Sequence, residues 1–142
     1  MAETGLVAAQ FILIGVIVWL GGLPRPAPLP LALCAAGIAL GVWTLAHNRP
    51  GNFNIRPTPR AAARLVTGGP YRRIRHPMYA ALLLLMAGLV AAASSISAWA
   101  ALCALAAVLA AKARREEAHL RDRFPGYAEY AARTRRFVPG IW

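Results

Sequence analysis

Acidic residues are scarce in this sequence. Five Asp and Glu face sixteen Lys and Arg in 142 residues, which gives a formal net charge of +11. Such a basic balance is typical of proteins that bind nucleic acid or a membrane surface. The cations, however, are absent from long apolar runs, and 58% of the residues are hydrophobic. This distribution excludes an ordinary soluble domain, and we expect membrane lipids rather than nucleic acid as partners.

Cysteine is equally rare, and several catalytic signatures are missing. Cys34 and Cys103 both lie in apolar runs, where cysteine behaves as a small hydrophobic residue. Their spacing indicates neither a disulfide framework nor a metal site, and we predict no bound metal ion. The glycine fingerprint of a Rossmann fold and a phosphate-binding loop are also missing. No Ser-His-Asp or Cys-His arrangement is persuasive.

Four apolar runs are present, at residues 6–23, 29–46, 78–93 and 96–111. At about 1.5 Å per helical residue, such a run crosses most of a bilayer core of about 30 Å. The first run, interrupted only by Gln10, could be a signal peptide, but Glu3 precedes it and no cleavage site follows. The last two runs are slightly short and meet at two serines, which predicts a helical hairpin. We therefore predict an all-α integral membrane protein with four transmembrane helices.

The arginines predict the topology. The first connector holds only Arg25 and the third holds no cation, whereas residues 47–77 hold seven arginines and residues 112–142 hold Lys112 and seven arginines. The positive-inside rule therefore places both termini and the middle loop in the cytoplasm. Both polar segments are thus expected on one face of the membrane.

The whole chain, residues 1–142, is predicted to form one membrane domain. Residues 1–47 supply two N-terminal transmembrane helices, and residues 48–142 supply the polar loop, the hairpin and a cytoplasmic helical segment. We expect the fourth helix to continue through Phe124 and to break at a Pro-Gly pair. A second short helix is predicted over residues 127–136.

Residues 68–79 read Gly-Gly-Pro-Tyr-Arg-Arg-Ile-Arg-His-Pro-Met-Tyr and lie between the two pairs of apolar runs. Each proline restricts its own backbone and that of the residue before it. Pro77 also suits the first turn of the next helix. His76 and Tyr79 are therefore expected at the N-terminal end of a membrane helix. From spacing alone, a ligand contact and a structural role are equally compatible with His76.

Glu116 and Glu117 stand out because acids are so few. Lys112 and Glu116 are four residues apart and share one helix face, so they could form only a surface ion pair. Alternatively, the carboxylate could lie at the membrane boundary and meet a cationic ligand. The tyrosines could form an aromatic belt at the interface, or they could face a cation or an adenine ring; they are Tyr71, Tyr79, Tyr127 and Tyr130.

Two further patterns concern the membrane. Gly37 and Gly41 form a small-xxx-small face where another helix could pack closely, which makes a homodimer conceivable. Chance explains this spacing equally well in a glycine-rich chain. Most arginines are expected to be interface anchors. Six of them are expected to face lipid phosphates, namely Arg49, Arg56, Arg60, Arg133, Arg135 and Arg136.

Three segments form a combination of motifs. Residues 65–71 read Leu-Val-Thr-Gly-Gly-Pro-Tyr, residues 75–79 read Arg-His-Pro-Met-Tyr, and residues 116–120 begin with Glu-Glu and end with Leu. Together with Phe124, Tyr127, Tyr130 and Arg135-x-x-x-Pro139, they resemble the isoprenylcysteine carboxyl methyltransferase family. The related phospholipid methyltransferases share the pattern. The resemblance covers residues 48–139, and its motifs are specific only in combination.

The resemblance implies an integral membrane enzyme that uses S-adenosylmethionine without a Rossmann domain. The loop before the hairpin and the segment after it would hold the cofactor, through Leu65, Val66, Tyr71, His76, Pro77, Met78, Tyr79 and Glu116. The family has a substrate-contacting arginine one turn before this glutamate. Lys112 occupies that position here, with Arg115 nearby. By resemblance, we expect Lys112, Arg115 and Glu116 to be catalytic.

The same resemblance implies a lipophilic methyl acceptor that enters sideways from the bilayer. It could be an isoprenylcysteine-like carboxylate, a phospholipid amine or another small lipid. The active site is expected on the cytoplasmic face, in the cytoplasmic membrane if the protein is bacterial. Two alternatives stay open. One is an NADPH-dependent membrane reductase related to sterol reductases, and the other is a non-catalytic lipid-binding membrane subunit.

Overall fold

A computed structural model of the chain describes residues 2–21, 27–48, 64–93 and 95–138. Within these ranges the chain is helical almost throughout and forms no strand, which confirms the all-α prediction. A 3-10 turn at Gly69–Arg72 precedes the third helix. The α-helices are α1 (Ala2–Gly21), α2 (Pro28–His47), α3 (Pro77–Ala93), α4 (Ile96–Arg123) and α5 (Tyr127–Arg133).

Three of the described helices, α1, α2 and α4, are long and apolar enough to cross a membrane. α3 has 17 residues, fewer than the about 20 that a spanning helix needs. Pro77 is its first residue, as predicted, because a helix leaves its first N–H groups without helical partners in any case. The predicted hairpin of α3 and α4 is present. Ser95 caps α4 by accepting a hydrogen bond from the amide of Ala98.

α4 is long because its apolar half continues as a polar half. Its 28 residues run past Ala111 and end at Arg123, one residue before the predicted end at Phe124. α5 ends at Arg133 rather than at residue 136. That prediction was too long because Thr134 is extended, with φ −123° and ψ 161°. The residues after it pair with the loop before α3 instead of continuing the helix.

α2 and α3 approach each other closely at two glycines. A Cβ atom added at Gly37 would lie 2.7 Å from the backbone nitrogen of Leu85 and 2.8 Å from the carbonyl oxygen of Ala81. A Cβ atom added at Gly88 would lie 2.4 Å from the Cys34 sulfur. The predicted close packing is therefore made within the chain, through Gly37 rather than through both glycines of the predicted face. The homodimer stays a prediction.

The other contacts form a core among α1, α3 and α4. Its buried side chains include Ile17 of α1, Val90 of α3, and Leu105 and Leu109 of α4. Large apolar side chains such as Trp19, which is 84% exposed, cover the outer faces. An exposed apolar surface of this kind suits contact with lipid. The core brings the polar start of α3 beside the polar half of α4.

Some predictions fall on residues outside the described ranges. They concern the expected phosphate anchors Arg49, Arg56 and Arg60, and Pro139 of the last motif.

Candidate active site

The loop before α3 is tied to the segment after α5 by backbone hydrogen bonds. Ile74 and Arg135 form an isolated parallel β-bridge. The amide of Arg75 donates to the carbonyl of Arg135 at 2.7 Å, and the amide of His76 donates to the carbonyl of Arg136 at 3.0 Å. Gly69 has φ +55°, and a Cβ atom there would lie 2.4 Å from the His47 ring. The loop is therefore held on both sides, and His76 has a fixed position.

Glu117 is the centre of a buried ion cluster. Its carboxylate accepts hydrogen bonds from Arg75 Nε at 3.0 Å, from His76 Nε2 at 3.2 Å and from Arg136 Nη2 at 2.9 Å. The side chain is 1% exposed. Since a guanidinium is always charged in proteins, two arginines neutralise this carboxylate. Glu117 therefore holds the loop, α4 and the C-terminal segment together.

The cluster corrects one prediction. Arg136 was expected to face lipid phosphates, but its side chain is only 16% exposed and pairs with Glu117. Arg133 differs, because its side chain is 63% exposed and pairs with Glu129 at 3.3 Å. Arg135 is also exposed. No local sequence signal distinguishes Arg136 from these two neighbours.

Glu116 has a different environment from Glu117. Its Oε2 accepts a hydrogen bond from the Tyr79 hydroxyl at 3.3 Å and lies 3.6 Å from His76 Nδ1. The side chain is 33% exposed. Among the described residues, no Arg or Lys lies within ion-pair distance of it. The His76 ring thus lies between two carboxylates, of which one is neutralised by arginines and the other is not.

Tyr79 connects Glu116 to Lys112. Its ring stacks on the His76 ring, with centroids 5.4 Å apart and planes 5° apart. The Lys112 ammonium lies 5.5 Å from the centre of the Tyr79 ring and donates to Gln10 Oε1 of α1. Lys112 is 1% exposed. The alternative of a surface pair between Lys112 and Glu116 is therefore wrong, because Lys112 is buried and bonded to another helix.

Tyr71 lies near this group but has partners of its own. Its hydroxyl accepts a hydrogen bond from Asn48 Nδ2 at 3.1 Å. Burial and the negative charge of Glu116 raise the pKa of Tyr71 to about 12, against the lowering effect of the Asn48 hydrogen bond. The phenol is therefore neutral at physiological pH.

Tyr127 and Tyr130 are not part of an aromatic belt. They are 1% and 3% exposed and contact each other with ring centroids 5.9 Å apart. The Tyr130 hydroxyl donates to the carbonyl of Tyr71 at 2.8 Å. Burial raises the pKa of both phenols. These tyrosines are buried between α5 and the loop and support the loop. Neither alternative predicted from the sequence, an aromatic belt or a ligand contact, describes their position.

The other residues expected in the site have fewer contacts with the group formed by His76, Tyr79, Lys112 and Glu116. Pro77 and Met78 begin α3, next to His76. Leu65 and Val66 are half-buried in an irregular segment before the 3-10 turn. Arg115 is half-buried, and no described residue forms a hydrogen bond or ion pair with it. The structure thus brings together His76, Tyr79, Lys112 and Glu116, and it leaves Arg115 apart.

Two cavities lie between the helices, and the first of them is lined by Tyr79 and Lys112 of this group. The first, which we call the α1–α2–α3 cavity, has a volume of about 1070 Å³ and is bordered by Gln10, Met78, Tyr79 and Lys112. The second has a volume of about 1260 Å³, lies between α2, α3 and α4, and has Arg72 and Arg73 at its edge. No group of three His, Cys, Asp or Glu residues that could hold a metal ion occurs in the described part of the chain.

Comparison with known proteins finds one family and two curated relatives. Residues 28–126 match the profile of a family described as phospholipid methyltransferase. The chain is 45% identical over 78 residues to the cobalt-zinc-cadmium resistance protein CzcN of Cupriavidus metallidurans. It is 40% identical over 83 residues to the nickel-cobalt-cadmium resistance protein NccN of Alcaligenes xylosoxydans xylosoxydans. These stretches cover 54% and 58% of this chain, but only 36% and 39% of the two relatives.

Proposed function

Because the chain belongs to the phospholipid methyltransferase family, we propose that it transfers a methyl group from S-adenosylmethionine to a lipophilic acceptor at a membrane. Its motifs resemble those of the isoprenylcysteine carboxyl methyltransferases, and we propose that it is an enzyme of that kind. The metal-resistance names belong to the two relatives. Since the chain spans well under half of their length, the proposal relies on the family and on the site.

The observation that carries the proposal is the difference between two adjacent glutamates. Glu117 is buried and paired with arginines, whereas Glu116 is one-third exposed and has no arginine partner among the described residues. A carboxylate beside aromatic rings attracts a cation. The sulfonium of S-adenosylmethionine is such a cation, and when bound it supplies an electrophilic methyl group. The chemistry of Glu116, Tyr79 and His76 therefore fits this cofactor.

Each of these residues has a distinct task in the proposed reaction. Glu116 balances the positive charge of the cofactor, and the Tyr79 hydroxyl holds that carboxylate in place. His76 is fixed by Glu117 and supports the Tyr79 ring by stacking. Lys112 lies on the Tyr79 ring at the edge of the α1–α2–α3 cavity, where an acceptor would meet it. Positioning of the reactants and exclusion of water are the main contributions expected from such a site.

The arrangement in the membrane is also part of the proposal. We place four helices in the bilayer, with the short α3 tilted little and supported by its neighbours. Both termini and the loop before α3 would lie in the cytoplasm, as the arginine distribution predicts. The site residues then lie on that side, since they come from the start of α3 and the polar half of α4. A lipid acceptor would enter from the bilayer.

Calorimetric titration of the purified full chain with S-adenosylhomocysteine tests the proposal, with NADPH as a parallel titrant. We expect saturable binding of S-adenosylhomocysteine only, weakened about tenfold or more in Glu116→Gln by loss of about 1.4 kcal/mol. Glu129→Gln is the matched control because Glu129 is exposed on α5 and pairs only with the exposed Arg133 among the described residues. NADPH binding alone would indicate a reductase. Binding of neither to folded protein would indicate a non-catalytic subunit.

A further inference from the structure

We propose that the cavity between α2, α3 and α4, which we call the α2–α3–α4 cavity, binds one anionic phospholipid of the bilayer. The phosphate group contacts Arg72 and Arg73 at the edge of the cavity, and the acyl chains lie along its apolar walls. This lipid is a bound partner of the chain and not the methyl acceptor. The inference goes beyond the proposed methyl transfer and does not depend on it.

The α2–α3–α4 cavity is separate from the proposed active site. No described residue lines both cavities, and neither Tyr79 nor Lys112 lines this one. The α3 residues that line it have the spacing of one helix face, namely Ala80, Leu83, Leu84 and Ala87. Tyr79, Leu82 and Leu85 line the α1–α2–α3 cavity instead. α3 therefore has a different cavity on each of two faces.

The walls of the α2–α3–α4 cavity suit acyl chains. α4 lines it with another single helix face, namely Trp99, Leu102, Cys103 and Ala106. Ala80 and Ala87 are seven residues apart, as are Trp99 and Ala106, and at about 1.5 Å per residue each pair spans about 10 Å. This is most of the apolar depth of one leaflet, about 15 Å. Trp99 is 45% exposed, so the cavity is open to surrounding lipid.

The cations of the cavity lie at one end of it. Arg72 ends the 3-10 turn before α3, Arg73 follows it, and both are exposed. Among the described residues, neither guanidinium forms a hydrogen bond or an ion pair, and no Asp or Glu lines the cavity. Two adjacent guanidinium groups keep their charge and offer several donors, which suits the oxygens of a phosphate.

This charge distribution selects one occupant. Phosphatidylglycerol presents a phosphate and no cation to the arginines. Phosphatidylethanolamine also carries an ammonium, which would meet two like charges and no acid among the described residues of the cavity. A second copy of the chain has a formal net charge of +11, so its approach to the same arginines is opposed by charge repulsion. An anionic phospholipid is the occupant that matches both the walls and the edge.

The cavity also adjoins the two segments that hold the proposed site together. Ile74 of the loop before α3 lines it, and so do Phe137 and Val138 of the C-terminal segment. Ile74 forms the β-bridge with Arg135, and the loop continues from it to His76. A lipid in this cavity therefore contacts both partners of the backbone pairing that fixes His76.

Native mass spectrometry of the detergent-purified full chain tests the inference, with equimolar phosphatidylglycerol, phosphatidylethanolamine and phosphatidylcholine. We expect one retained phosphatidylglycerol per chain and about tenfold weaker binding of the other two lipids. The double variant Arg72→Gln, Arg73→Gln should lose this preference. The double variant Arg114→Gln, Arg133→Gln is the matched control, because it removes the same charge from two exposed arginines that do not line the cavity. It should keep the preference.

A second variant tests the apolar wall. Cys103→Trp places a large ring in the cavity from an exposed position and should weaken phosphatidylglycerol binding about tenfold with both arginines in place. Glycerol 1-phosphate, which has a phosphate but no acyl chain, should not displace the lipid. Its displacement of the lipid would indicate a site for free phosphate esters and overturn the inference.

The remaining outcomes also decide the question. Equal binding of the three lipids, or unchanged binding in Cys103→Trp or in the Arg72 and Arg73 variant, would overturn the inference. A dimer that Cys103→Trp dissociates would assign the cavity to a second copy and overturn it as well. Titration with S-adenosylhomocysteine tests the methyl transfer separately. A chain that retains phosphatidylglycerol but does not bind S-adenosylhomocysteine would support the lipid site and contradict the proposed reaction.

Discussion

The Arg136 guanidinium donates hydrogen bonds to both carboxylate oxygens of Glu117. Arg136 Nε lies 3.0 Å from Glu117 Oε1, and Arg136 Nη2 lies 2.9 Å from Glu117 Oε2. This two-point contact fixes the C-terminal segment on α4. Arg75 reinforces it, since its Nη1 donates to the carbonyl of Ala131 at 2.9 Å while its Nε bonds to Glu117. The loop that carries His76 and the segment after α5 therefore depend on one carboxylate.

The first prediction concerns this carboxylate. Glu117→Gln removes the negative charge of a buried carboxylate that two largely buried guanidinium groups share, so we expect the free energy of unfolding to fall by about 3–5 kcal/mol. Denaturant titration of the detergent-solubilised chain, followed by circular dichroism, measures this. Glu129→Gln breaks an exposed pair with Arg133 and should cost no more than about 1 kcal/mol. Equal losses in the two variants would contradict the assigned role of Glu117.

The second prediction concerns the contact between α2 and α3. Gly37→Ala places a methyl group 2.7 Å from a backbone nitrogen of α3, which cannot move away as a side chain can. We expect the free energy of unfolding to fall by about 1–3 kcal/mol, the usual cost of overpacking.

Gly15→Ala is the matched control for the helix contact. Gly15 lies within α1, and a Cβ atom there meets nothing within 4 Å. Because alanine favours a helix over glycine by about 1 kcal/mol, this variant should be neutral or slightly stabilised in the same denaturant titration. A stable Gly37→Ala variant would show that α2 and α3 are not as close as described.

The two glutamates show which parts of the site could be predicted from sequence. The long helices, the start of α3 and the end of α4 follow from local signals, namely apolar run length, Pro77 and the Pro-Gly pair after Phe124. Glu117 and its partners do not, because His76 is 41 residues earlier and Arg136 is 19 residues later. Which adjacent acid is buried depends on this long-range pairing. The motif marks the pair Glu116-Glu117 but not the difference between them.

Gln10 is a second case, because its position is visible in the sequence but its partner is not. A lone polar residue in an apolar run is visible in the sequence. Its partner Lys112 is 102 residues away, so only the packing of α1 against α4 connects them. In α5, by contrast, a local signal was misleading. Two arginines, which favour a helix, follow Thr134, but the pairing of residues 135 and 136 with the loop ends the helix at Arg133.

The third prediction concerns pH. The pKa of Tyr71 is raised to about 12 by burial and by the charge of Glu116, from about 10 in the unfolded chain. The folded state therefore favours the neutral phenol. Its contribution to stability is complete below pH about 10 and is lost as the pH rises through about 12. An ultraviolet difference titration of wild type against Tyr71→Phe should show one phenol that ionises near pH 12, and ionisation near pH 10 would contradict its burial.

The last prediction separates the two roles of Tyr79. Tyr79→Phe removes the hydroxyl that donates to Glu116 at 3.3 Å but keeps the ring that stacks on His76 and faces Lys112. A single hydrogen bond contributes about 0.5–1.5 kcal/mol, so we expect S-adenosylhomocysteine to bind roughly three- to tenfold more weakly. Tyr79→Leu also removes the ring, and its loss of affinity should be clearly larger. Calorimetry on both variants measures the difference. If Tyr79→Phe bound as weakly as Tyr79→Leu, the hydroxyl and its hold on Glu116 would be the main contribution and the ring a minor one.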